Sequence, residues 1–279
     1  MDFKDLKAQI NKLSYDEYGR PSGVLLLNKQ IGITAHDLVD QTRHTLNTRK
    51  VGHAGALDSF SSGLMLILIG KATKISNDLM FLDKTYRARI VLGIATQTQD
   101  PEGQPVKVVI NKFVERQQLE ATIKSFIGNY PQHVSPFSSV KVGGQKLRKL
   151  LRDPKYTWEI IWRDEKKYIK LTVQSGQDTF VEIPIKNVSI FSFKLLDEGK
   201  LSASELPFLD LSKQVGSDQK FQYLDVSVHC SKGTYIRQLG EDFGAKLGLP
   251  AALATLTRTG LGEFTLADAT DLSAVLPHS

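Results

Sequence analysis

The six apolar residues Leu64-Met-Leu-Ile-Leu-Ile69, entered directly from Val51-Gly-His-Ala-Gly-Ala-Leu-Asp-Ser-Phe-Ser-Ser-Gly63, constrain this chain more than any other stretch. A short continuous apolar run bounded by glycine and serine reads as a buried strand. The small residues ahead of it leave the backbone bare, so a ligand can approach the loop closely. That loop holds one carboxylate, Asp58, and one imidazole, His53. Two readings of Asp58 stand side by side: an Asx-turn or cap that satisfies nearby amides, or a reacting group.

The rest of the chain supplies the frame. Asp2 to Leu13 is a polar amphipathic segment read as a short helix, and Tyr15 to Ser22 as a linker. From Gly23 the core begins, with Val24 to Leu27 a second strand buried on both faces. Thr34 caps a helix, with Asp37 three residues on and Leu38, Val39, Thr42 and Leu46 on one face. Tyr86, Ala88, Ile90 and Leu92 alternate with Arg87, Arg89 and Val91, a strand with one apolar face and two arginines on the other. Phe113 to Ile127 has helical spacing and stops at Gly128. Leu224 to Cys230 alternates strictly, and Thr234 opens a helix running through Ile236, Leu239, Phe243 and Leu247 to Gly248. Strands and helices interleave without a regular βαβ repeat, which predicts an α/β (α+β) fold with a mixed sheet and helices packed on it. Lys155 to Phe180 reads as an added hairpin around Ser175-Gly176, and Gly199 to Lys220 as a surface loop.

Charge and cysteine usage narrow the function. Lys and Arg outnumber Asp and Glu by 36 to 30, a net charge of +6 that favours a polyanionic partner. Cys230 is a single cysteine, so no intrachain disulfide forms and a reducing cytoplasm is the expected compartment. The start lacks a signal-peptide profile, and no run approaches the roughly 18 apolar residues of a membrane span. The six histidines, His36, His44, His53, His133, His229 and His278, show no ligand spacing, which predicts no metal. No phosphate-binding glycine loop, dinucleotide fingerprint or serine-hydrolase elbow is present, so no cofactor is expected.

Four places carry candidate chemistry: Asp58 with His53, Tyr86, Ser231-Lys-Gly-Thr-Tyr-Ile-Arg237, and Leu256-Thr-Arg258. Gly52-His-Ala-Gly-Ala-Leu-Asp58 resembles the catalytic loop of the TruB family of tRNA pseudouridine synthases. Gly23-Val-Leu-Leu-Leu-Asn-Lys29, Lys84-Thr-Tyr86, Ser138-Ser-Val-Lys-Val-Gly-Gly144, Cys230 to Arg237 and Leu253 to Phe264 are similar to further family motifs in the same order. Ser59 and Gln30 stand where the family usually has proline, and Gln97 where it has an acidic residue. The Ser59 departure predicts a looser loop.

The resemblance implies a pseudouridine synthase catalytic fold with a largely antiparallel central sheet flanked by helices. It divides the chain into an N-terminal helix and linker over 1–22 and a catalytic domain over 23–279, with insertions at 155–180 and 199–220. No room is left for the C-terminal RNA-binding PUA domain that many relatives carry. The implied reaction isomerises the T-loop uridine of tRNA, position 55, with Asp58 as nucleophile and Arg237 pairing with it. Tyr86 stacks on the flipped uracil and assists removal of the C5 proton, and His53 fills the vacated stack. Tyr235 and Leu256 wall the pocket, and Lys29, Lys141 and Lys232 contact phosphates. The partner is the tRNA T-arm, with no guide RNA, protein partner or membrane, and the protein is expected to be a monomer. A non-catalytic tRNA-folding chaperone of the same fold is the alternative; a glycosidase would need a second acid.

Overall fold

The computed structural model describes residues 3–138, 141–142, 144–208 and 210–275. Leu64 to Ile69 lies within the strand Ser62–Ile69, and all six side chains are fully buried. Side chains alternate across a strand. Leu64, Leu66 and Leu68 therefore enter one core, while Met65, Ile67 and Ile69 enter another on the opposite face. The strand Pro21–Lys29 pairs antiparallel beside it and divides Val24 and Leu26 from Leu25 and Leu27 in the same way.

These strands belong to a ten-stranded sheet. Its order is Leu13–Tyr15, Pro21–Lys29, Ser62–Ile69, Ala251–Leu261, Lys84–Leu92, Lys220–Cys230, Ile185–Ser202 and Gly128–His133, with Val51–His53 and Phe264–Thr265 paired at the side. Most pairs are antiparallel, but Ser62–Ile69 runs parallel to Ala251–Leu261 through Thr257 opposite Ser62 and Arg258 opposite Gly63. The mixed, largely antiparallel sheet expected from the sequence is thus present. Helices Ala35–Thr45, Arg116–Lys124 and Ile236–Lys246 bury their apolar faces in the larger core. Thr34 and Asp37 form the expected capping box.

Several boundaries differ from expectation. The presumed linker at Tyr15–Ser22 is a hairpin, because Leu13–Tyr15 pairs with Pro21–Gly23 as an edge strand. The helix expected at Phe113–Ile127 is confined to Arg116–Lys124. The region 199–220 is no surface loop. Ala203, Leu206, Phe208 and Leu211 are buried against Val91, Ile94, Phe221, Ala252 and Ala254, closing the second face of the sheet. This is why Val91, on the arginine side of its strand, is fully buried. The expected hairpin at 155–180 is a three-stranded antiparallel sheet, Tyr156–Arg163, Lys166–Val173 and Asp178–Glu182. Its first turn passes through Asp164 and Glu165, both at positive φ. Ser139, Val140 and Gly143 of the 138–144 motif, and His278, lie outside the described residues.

Candidate active site

The Asp58 loop is held in place from the neighbouring strand. Arg258 is fully buried, and its Nε donates to the Leu64 carbonyl at 2.6 Å. Its Nη2 donates to Gly55 O at 3.1 Å and its Nη1 to Ala56 O at 3.5 Å. One guanidinium thus satisfies carbonyls on both sides of Asp58. The parallel pairing requires Gly63, at φ +111°, since a Cβ there would sit 2.2 Å from Arg258 O. Gly32 N donates to Ser59 O at 2.8 Å, and Ser61 Oγ to Asp58 O at 2.8 Å. The Ser59 hydroxyl donates to the Glu102 carboxylate. A loop loosened by serine was expected, yet this serine gains a tie that proline lacks.

Asp58 meets Arg237 across this frame. Arg237 Nε lies 3.0 Å from Asp58 Oδ2, with the Asp58 side chain 43% exposed and that of Arg237 only 8%. Behind the guanidinium stands a second carboxylate, Asp100, 2% exposed and 3.0 Å from Nη1. The Thr98 carbonyl accepts from the same Nη1 at 3.0 Å. Burial raises the Asp100 pKa, and the Arg237 charge opposes that rise. A buried guanidinium with partners on two edges has little freedom to turn, so Nε is kept facing the exposed carboxylate. The second carboxylate does not make a glycosidase pair, because it is 2% exposed and bound to Arg237.

Two tyrosines, Tyr86 and Tyr235, lie within electrostatic reach of Asp58. Tyr86 lies opposite Arg258 on one neighbouring strand and Val228 on the other. With Leu57, Phe60 and Leu256 it belongs to one contiguous buried cluster. Burial, above all, raises the Tyr86 phenol above its ordinary value, so at neutral pH it is a protonated donor. Tyr235 is fixed by Gln132, which accepts from Tyr235 N at 2.8 Å and donates to Tyr235 O at 2.9 Å. His53 ends the strand Val51–His53, and its Nδ1 has no hydrogen-bond partner among the described residues. Burial and then the Arg258 charge lower its pKa, which keeps the imidazole neutral.

The three lysines do not share one surface. Lys29 is fully buried, and its ammonium donates to Gln30 O at 2.9 Å and Ile33 O at 2.7 Å. Its expected phosphate contact is therefore corrected: this cation closes the turn that follows its strand. Lys141 is exposed on a short hairpin with Gln145–Lys146, and Lys232 is exposed with its ammonium over the Phe81 ring. Among the described residues no three His, Cys, Asp or Glu side chains are grouped to hold a metal, and no helix is long and apolar enough to cross a membrane.

Comparison with known proteins gives the family. The TruB family pseudouridylate synthase N-terminal domain matches residues 43–186, which include Asp58, Tyr86 and Asp100. The tRNA pseudouridine synthase B of Geobacillus thermodenitrificans is 36% identical over 254 residues, covering 91% of this chain and 71% of its own. The chain belongs to the TruB family. The enzyme of the same name from Shouchella clausii is also 36% identical, with the same coverage. Among solved structures, a chain of an archaeal box H/ACA sRNP complex superposes with a TM-score of 0.54 at 18% identity, over 96% of this TruB-family chain and 61% of that one. A chain from an H/ACA RNP bound to a substrate RNA gives 0.52 at 19% identity, over 91% and 53%. This chain thus spans about half to three fifths of those two, and the likeness is one of fold.

Sequence reading missed Asp100, Thr98, Glu102 and the tethering part of Arg258. Nothing local announced the pairing of Asp100 with a residue 137 positions on.

Proposed function

We propose that the protein converts the T-loop uridine of tRNA, position 55, into pseudouridine, with Asp58 as the reacting carboxylate. The observation that carries this reading is the 3.0 Å pairing of a half-exposed Asp58 with a buried Arg237, inside a loop held on both sides by Arg258. A carboxylate can bond reversibly to sugar or base, or take a sugar proton, without metal or cofactor. Arg237 orients that carboxylate through a charge-assisted contact from its buried guanidinium.

The target base must leave its stack, which costs a few kcal/mol that pocket contacts offset. Tyr86 and Leu256 would flank the uracil, and Tyr235 would complete the wall, excluding water while the base is detached. His53, neutral and half-buried beside the loop, would occupy the space the uridine leaves. Because the Tyr86 phenol is held protonated, it can take the C5 proton only after giving up its own. Lys141 and Lys232 would contact phosphates. The resemblance to the curated relatives named for tRNA, far stronger than that to the H/ACA chains, supports action on tRNA without a guide RNA.

The test is direct. Purified protein is incubated with an unmodified tRNA transcript and no other macromolecule, and pseudouridine is mapped at nucleotide resolution. One new pseudouridine, in the T-loop, is expected; product only when a guide RNA or second protein is added contradicts the reading.

A further inference from the structure

The added three-stranded sheet turns one long cation inward. Lys167 is buried, and its ammonium lies 3.0 Å from Glu241 Oε2 on the helix Ile236–Lys246. Burying an ammonium is costly without a partner, and Glu241 supplies one where Ile169 and Leu171 of the same sheet pack on Val134, Leu147 and Leu151. Glu241 Oε2 also accepts from Gln99 Nε2 at 2.7 Å and from Gln238 Nε2 at 2.6 Å. Gln99 is held further by Gln238 Oε1, which accepts from its Nε2 at 2.9 Å, and by Ser135 Oγ, which donates to its Oε1 at 3.3 Å.

Gln99 stands between the two residues that grip Arg237, Thr98 through its carbonyl and Asp100 through its carboxylate. Its own backbone has φ +66°, in the left-handed region that a glutamine seldom adopts. Such a conformation persists only where surrounding contacts over-determine it. The side-chain clamp on Gln99 supplies those contacts.

We propose that Glu241 and Lys167 are positioning residues for the reaction. They clamp Gln99, the 98–100 turn then holds Arg237, and Arg237 holds Asp58. Neither residue touches the reacting atoms. The proposal rests on the assignment of Asp58 and Arg237 made above, and it gives the three-stranded sheet a part in that site through Lys167, beside the apolar cluster of Ile169 and Leu171 against which Tyr235 packs.

Single-turnover conversion, tRNA affinity and amide exchange are measured together for Glu241→Ala, Lys167→Met and Lys167→Arg. Glu241→Ala should lower the single-turnover rate about tenfold or more with tRNA Kd unchanged within about twofold. Lys167→Met should give a smaller loss of the same kind, and Lys167→Arg should restore most of it. Exchange should quicken at Leu253, whose N–H donates to Gln99 O at 3.1 Å, and at Asp100, whose N–H donates to Thr96 Oγ1 at 3.0 Å. If a single variant does not fold, the pair Glu241→Gln with Lys167→Met, which leaves no unpaired buried charge, decides by the same readings. Unchanged rate and exchange in the folded variants overturn the proposal, as does a loss confined to tRNA affinity. A wild-type protein that forms no pseudouridine counts against the assigned reaction instead, and the exchange rates then still decide whether the clamp exists.

Discussion

Arg258 shows how a residue outside the reacting pair shapes the site. Hydrogen bonds from its guanidinium reach Gly55, Ala56 and Leu64, so the segments before and after Asp58 are fastened to one side chain. Arg258→Met keeps comparable length but leaves buried carbonyls without a donor, and should destabilise the protein by on the order of 3 kcal/mol. A urea midpoint series at constant slope measures this, and a loss below about 1 kcal/mol would show that the carbonyls find other partners. Asp58 itself was legible in the sequence, because a lone carboxylate in a small-residue loop ahead of a buried strand is locally visible. Arg258 was legible only as the neighbour of Leu256, since its carbonyl partners lie about 200 positions away in the chain. The phosphate contact that the resemblance implied for Lys29 does not fit its place, because the carbonyls of Gln30 and Ile33 in the following turn take its ammonium.

Elements with a clean period were legible, and those fixed by partners elsewhere were not. The Tyr86 strand and the Thr34-capped helix follow from alternation and capping alone. The 203–211 segment did not, because its buried residues are spaced irregularly among polar ones and earn their burial from Phe221 and Ala252. The turn at Asp164 and Glu165 was missed because both residues adopt positive φ without glycine. At the head of the Tyr86 strand, Lys84 donates to Met80 O at 2.7 Å and to Leu82 O, tying the strand to the end of the helix Ser76–Met80. Burial, and then the Arg258 charge, lower its pKa to about 8. Above that pH the folded chain has lost a proton that the unfolded chain keeps up to the ordinary lysine value, so this group's contribution to stability rises with pH across the window. Wild-type stability should therefore gain on that of Lys84→Met between about pH 8 and 10, by at most about 1.4 kcal/mol per pH unit. Chemical denaturation at several pH values reports the difference, and parallel curves would contradict the shift.

For the whole molecule, the net charge of +6 favours RNA without saying which surface meets it. The outer face of the three-stranded sheet is largely self-neutralised, since Lys166 pairs with Glu182, and Lys170 with Glu159 and Asp178. The proposed phosphate contacts of Lys141 and Lys232 therefore have no counterpart on that face. Lys141→Ala should reduce the slope of log affinity against log salt by about one, while Lys170→Ala should leave it unchanged; equal effects would place the three-stranded sheet on the RNA-binding surface. The central claim, that Asp58 performs the chemistry on tRNA, is tested most directly by Asp58→Asn. Pseudouridine in the T-loop of an unmodified transcript is mapped after one turnover, with tRNA affinity measured on the same samples. The account predicts product with the wild type, none with Asp58→Asn, and affinities that agree within about threefold, because the change removes a charge and not the binding surface. Normal product from Asp58→Asn would contradict it.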